Sequence, residues 1–200
     1  MASTRDRIID AVLDAMRSRG FRGTGLKEVT TAAAATNGSL YHFFPGGKDE
    51  LVCAAIREDG AAHEATFVDI ARAARSPGEA IARFFSQAAD VFEATDYIDL
   101  CPIGTVAGEM ASTSPRLRAA CEDAFNGWQR AIAAELHECG LPPEDAADLS
   151  ATTIAALLGG FVLVRTCRSG APMRAAGRQL HTLVDGRLAG QDAAQASADI

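Results

Sequence analysis

Aromatic side chains are scarce in this 200-residue chain, at 6% of residues, with one tryptophan and two tyrosines. Alanine is abundant in their place. It is the strongest helix former and suits close helix packing, so an all-helical fold is expected before any pattern is read. The chain also lacks paired cysteines. Its five (Cys53, Cys101, Cys121, Cys139 and Cys167) are odd in number, far apart and without a C-x-x-C pair. That excludes a disulfide framework and a cysteine zinc site, and leaves the thiols as small hydrophobes. His63, His137 and His181 show no metal-ligand spacing. There is no nucleophile elbow, no P-loop and no G-x-G-x-x-G, so neither an enzyme nor a cofactor or metal is expected. The N-terminus is polar and has no apolar h-region of a signal peptide. No uninterrupted apolar stretch reaches the length of a membrane span, and residues 154–164 fall short of it. A cytoplasmic location with no membrane partner follows as an expectation.

An excess of positive charge is missing too. The net charge is −7, unlike a chain that is mainly a nucleic-acid binder. Its distribution is uneven. Residues 1–50 hold seven Lys/Arg against six Asp/Glu, about +1, and residues 51–200 carry about −8. An acidic body with a less acidic head fits a protein that meets DNA at one end only.

Helical periodicity fills the chain. A first helix is expected over 4–19, with Ser3 to Asp6 forming a capping box and Gly20 as its C-terminal stop. Helices over 26–34 (Thr24 as N-cap), 37–43 (Thr36 as N-cap) and 48–74 follow, the last expected to run through the boundary between head and body. Helices then start at Pro77, near 104–112, and after Ser114-Pro115. A long apolar helix over 144–168 and a last one over 172–188 complete about nine, with a tail over 189–200 expected to fray. No strand and no internal repeat is found. The fold class is all-α: a three-helix DNA-binding head over 1–50 and a larger helical body over 51–200.

The informative stretch is residues 26–51, LKEVTTAAAATNGSLYHFFPGGKDEL. Two short helices joined tightly, the second small and polar at its start and aromatic at its end, describe a helix-turn-helix. Thr36, Asn37, Gly38 and Ser39 would let the helix start approach the major groove closely. Tyr41 and His42 have groups for phosphate or a base edge, though both also suit plain packing at a helix end. Lys48 stands at the start of the next helix, as a phosphate ligand or an ordinary solvated lysine.

The run Asn37 to Pro45, followed by Lys48 and Leu51, resembles the signature of TetR-family regulators. This resemblance covers residues 4–56 directly. It implies that the third helix reads DNA, that Thr24, Thr36, Tyr41, His42 and Lys48 meet phosphates, and that Asn37, Gly38 and Ser39 lie near base edges. The chain departs from the pattern at Ala34-Ala35, where Gly-Val is usual. A positive φ at Ala34 would be mildly strained. Position 43 is Phe where a second histidine is common.

The segment Cys101 to Glu109, with His42 to Lys48, is similar to one TetR subgroup whose members respond to lincomycin-like drugs and flavonoids. The resemblance implies a repressor that holds a palindromic double-stranded DNA operator as a homodimer through its last two helices. It also implies release by a small apolar effector. Phe84, Phe85, Phe92, Phe125, Trp128 and Phe161 are candidate ligand contacts, with core packing as the alternative. Cys101 belongs to the same candidate set, with nothing basic beside it to activate the thiol. Glu109 follows an apolar run and reads as an inward ligand anchor or as a solvent-facing glutamate. A helical binding module without DNA binding is the rival reading, and a gel shift separates the two.

Overall fold

The computed structural model describes residues 2–99 and 101–198. Among these it has nine helices and no strand: α1 (Thr4–Arg19), α2 (Leu26–Ala32), α3 (Asn37–Phe43), α4 (Gly47–Ala73), α5 (Pro77–Ala94), α6 (Pro102–Met110), α7 (Pro115–Glu138), α8 (Pro143–Cys167) and α9 (Ala171–Ala198). Two compact units result. One is Met1–Ala62 with Ile98–Phe125, the other His63–Tyr97 with Asn126–Ile200.

In the first unit, α1 is fixed at its start by the expected capping box. Ser3 Oγ accepts from Asp6 N and Ser3 N donates to the Asp6 carboxylate, both at 3.1 Å. Its apolar stripe, Ile8, Val12 and Met16, is fully buried. Val29 of α2, Leu40 of α3, Leu51 and Ile56 of α4, Ile103 of α6 and Leu117 of α7 complete this core. The turn between α2 and α3 takes the strained geometry expected for it. Ala34 sits at φ +46°, and Ala35 N donates back to Thr30 O at 2.9 Å.

In the second unit, α5 lies against α9 and α9 against α8. The α5–α9 approach is close because Gly177 meets the Phe85 Cβ and the Ala82 backbone, where a methyl group would collide. Asp185 of α9 ties down the start of α5. Its carboxylate accepts from Ser76 Oγ at 2.8 Å and from Gly78 N at 3.2 Å.

Several boundaries differ from the sequence reading. Gly25, not Thr24, is the N-cap of α2, and it offers no side-chain bond. The Thr24 hydroxyl turns inward instead, to Gly20 O at 2.7 Å. Helix α6 starts two residues earlier than expected because Pro102 suits a first helical position and Cys101 Sγ accepts from Gly104 N at 3.4 Å. Helix α9 continues to Ala198 where fraying was expected, and residues 199 and 200 lie outside the described ones. By length and composition alone α8 is apolar enough to cross a membrane, although its longest uninterrupted apolar run is short, and 39% of its most apolar 18 residues are buried in the fold. The core helix of a soluble protein passes the same test.

Candidate functional site

Helix α3 is short and two-sided. Leu40 and Phe44 are buried at 1% and 3% exposure and anchor one side. Asn37, Gly38, Tyr41 and His42 are exposed on the other. Thr36 opens the helix, its Oγ1 accepting from Ser39 N at 3.0 Å and lying 3.0 Å from Ser39 Oγ. The Asn37 Oδ1 accepts from Thr30 Oγ1 at 3.5 Å. A Cβ added at Gly38 would meet only Thr36 Oγ1, at 3.6 Å, so the fold itself does not demand glycine there. Tyr41 is 53% exposed and Phe43 38%, large apolar surface for the tip of a small head.

The corner between α1 and α2 is tightly held. Lys48, in the first turn of α4, sends Nζ to Phe21 O at 2.6 Å and over the Phe21 ring, 4.1 Å from its centroid. Burial against this corner pushes the Lys48 ammonium below its ordinary range, offset by the carboxylates of Asp49 and Glu109. Glu109, near the end of α6, accepts from the backbone N–H of Arg22 at 2.9 Å. Thr24, 2% exposed, keeps its hydroxyl inside this corner.

The second unit contains an apolar cavity. Its walls are Phe67 of α4, Ile81, Phe84 and Phe85 of α5, Trp128 and Ile132 of α7, and Thr153, Ile154 and Leu157 of α8. His63 and Glu64 also stand at it. Phe67 and Phe84 meet edge to face at 5.8 Å. The void left between these side chains is small, about 20 Å³.

Comparison with known proteins identifies this arrangement. Residues 8–55 match the family described as "Bacterial regulatory proteins, tetR family". Residues 77–179 match "Transcriptional regulator LmrA/YxaF-like, C-terminal domain". The chain is 32% identical over 181 residues to the uncharacterized HTH-type transcriptional regulator YxaF of Bacillus subtilis (strain 168), covering 90% of this chain and 95% of that protein. This chain belongs to the TetR family of DNA-binding transcriptional regulators. It is also 30% identical over 170 residues to the HTH-type transcriptional regulator LmrA of the same organism, covering 85% of this chain and 90% of that one. Solved structures share the fold. A TetR regulator from Legionella pneumophila matches with a TM-score of 0.81 at 20% identity, covering 92% of this chain and 98% of that one. The TetR-family regulator CifR, solved as a cysteine mutant with 26 bp double-strand operator DNA, matches at 0.74 and 20% identity, covering 88% and 95%.

Within this TetR-family chain the ligand candidates scatter. Phe84, Phe85 and Trp128 line the cavity. Phe92 and Phe161 stack on each other, centroids 5.3 Å apart, and are not among its walls. Phe125, Cys101 and Glu109 belong to the first unit and do not line it either. Burial pushes the Cys101 thiol up to about 11, which leaves it inert at neutral pH. Sequence reasoning missed His63, Glu64, Phe67, Ile132 and Thr153. No local signal finds them, because the cavity joins four helices that only the tertiary fold brings together.

Proposed function

We propose that this regulator is a repressor. It holds a palindromic operator as a homodimer through a DNA-binding domain over residues 1–50. A small apolar effector entering the cavity of the 51–200 body releases it. The observation that carries the DNA contact is the two-sided α3, anchored by Leu40 and Phe44 with Asn37, Gly38, Tyr41 and His42 exposed on the other side. Glycine at 38, which the fold does not require, suits close approach to base edges, with Asn37 and Ser39 beside it. Tyr41, His42, Thr36 and the remaining Lys48 donors serve phosphates. Thr24 supports this surface from within.

The dimer face is the outer side of α8 and α9. Ala151, Ala155, Gly159, Val162 and Leu163 form an exposed small and apolar stripe, continued by Leu183 and Gly186. To bind a palindromic operator, the pair must hold its two copies of α3 about 34–36 Å apart, one DNA turn. Effector affinity must differ between the states with and without that spacing. The cavity walls Phe84, Phe85 and Trp128 suit an aromatic apolar effector. The resemblance of residues 101–109 and 42–48 to one TetR subgroup makes lincomycin-like drugs and flavonoids the compounds to test. The protein acts in the cytoplasm, where such compounds meet it after entry.

The test is a gel shift with DNA upstream of the gene, followed by a thermal-shift screen of flavonoids and lincosamides. Specific binding, lost on adding a compound that raises Tm, is the expected result. Absence of specific binding even at low salt overturns the repressor reading. Leu163→Glu should leave the chain helical but monomeric by sedimentation.

A further inference from the structure

The carboxylate of Glu109 does not enter the cavity. It reaches the corner between α1 and α2, and it meets that corner twice. One oxygen accepts from the Arg22 backbone N–H at 2.9 Å. The other would collide with a Cβ on Gly20, which would also come within 3.3 Å of Thr105 Cγ2. Gly20 is at φ +73° and buried, so the corner needs glycine both for its backbone angle and for the room that Glu109 takes. The neighbouring carbonyl, of Phe21, is held by Lys48 at 2.6 Å. Consecutive backbone groups of one corner are thus gripped by α6 and by the start of α4. The corner ends at Thr24, whose hydroxyl closes it onto Gly20 O at 2.7 Å. Helix α2 begins two residues later and packs on α3.

We infer that Glu109 is a positioning residue for DNA binding: by accepting the Arg22 N–H it fixes the α1–α2 corner, and through α2 the setting of α3. The inference rests on the reading that α3 contacts DNA, but it assigns Glu109 to the head and takes it out of the ligand site. Helix α6 then has a direct hold on the DNA-reading helices, independent of any side chain in the cavity.

Charge gives a test with opposite signs. Removing a carboxylate from a head that meets a polyanion tightens binding if that carboxylate has no positional role. A positioning role demands the reverse for Glu109→Ala, and demands that Glu109→Gln, which keeps an acceptor oxygen and loses the charge, bind at least as well as wild type. The probe is a duplex selected from a random library by the full-length wild-type protein, and binding is read by fluorescence anisotropy across a salt series. For Glu109→Ala we expect Kd to rise about tenfold, because fewer heads are competent, with the salt slope unchanged since no phosphate contact is lost. Amide exchange of the peptide over residues 20–24 should speed up in Glu109→Ala and stay at the wild-type rate in Glu109→Gln. Gly20→Ala should weaken binding in the wild type and cost less in the Glu109→Ala background, where its methyl group finds space.

Equal or tighter binding by Glu109→Ala, or equal loss in Glu109→Ala and Glu109→Gln, overturns the inference. If the wild type selects no duplex, both this and the DNA reading fail. The exchange measurement, which needs no DNA, then still shows whether Glu109 holds the corner.

Discussion

Arg7 closes the end of α2: its Nε donates to the Ala33 carbonyl at 3.0 Å, one residue before the chain turns into α3. The next residue, Ala34, pays for that turn with a left-handed backbone at φ +46°. Ala34→Gly should therefore stabilise the head, by about 0.5–1 kcal/mol, since the left-handed penalty of about 1–2 kcal/mol exceeds the extra chain entropy of glycine. Calorimetric Tm measures it. A lower Tm for the glycine variant would mean that the turn is not strained as described.

Two glycines inside helices should respond to alanine in opposite directions. At Gly177 the new methyl would press on the Phe85 Cβ, 2.7 Å away, and cost about 1–3 kcal/mol of overpacking. At Gly108 nothing lies within 4 Å, and the gain is the helix propensity, up to about 1 kcal/mol. Urea unfolding of the two variants at equal protein concentration compares them.

The proposed DNA contacts separate by salt dependence. His42→Ala and Lys48→Ala should each weaken operator binding and lower the log–log salt slope by about one. Gly38→Ala should leave Tm unchanged or raise it, yet weaken binding by about tenfold or more, because its Cβ has room in the fold and none against a base edge. An unchanged slope for His42→Ala removes it from the phosphate contacts.

The thiols set an alkaline limit on stability. Burial raises Cys101 to about 11 and Cys121 to about 12, from an ordinary 9.0. Each group binds its proton more tightly in the folded state. The stabilisation is therefore full below pH 9 and is lost as pH rises through 11 to 12. Tm should fall between pH 9 and 11, and Cys121→Ala should flatten that fall. At pH 8, iodoacetamide should modify the exposed Cys139 and Cys167 well before Cys101.

Local chemistry was legible in the sequence. The capping box at Ser3 and Asp6, the Thr36 cap and the stop at Gly20 are each set by residues within four positions of one another, while the strain at Ala34 was legible only through the family resemblance. What depended on distant chain was not. Thr24 looked like a cap because threonine before a helix often is one, but a carbonyl four residues back captured its hydroxyl. Glu109 had the right pattern for an inward residue, and nothing near it in the chain signals that its inward partner is the Arg22 amide, 87 positions away. The aromatics show the same limit. Phe84 and Trp128 reached the cavity while Phe92 and Phe161 spent their rings on each other, a choice that helical spacing alone does not encode.

The smallness of the cavity has a kinetic consequence. A void of about 20 Å³ has room for a water molecule and none for a drug-sized compound. An occupant of this core must wait for it to open. Its observed association rate then rises with concentration only until it meets the opening rate, and levels off there. If the proposed effector binds here, the regulator should answer a flood of compound no faster than a moderate dose, at a rate set by the packing of Phe67, Phe84 and Trp128.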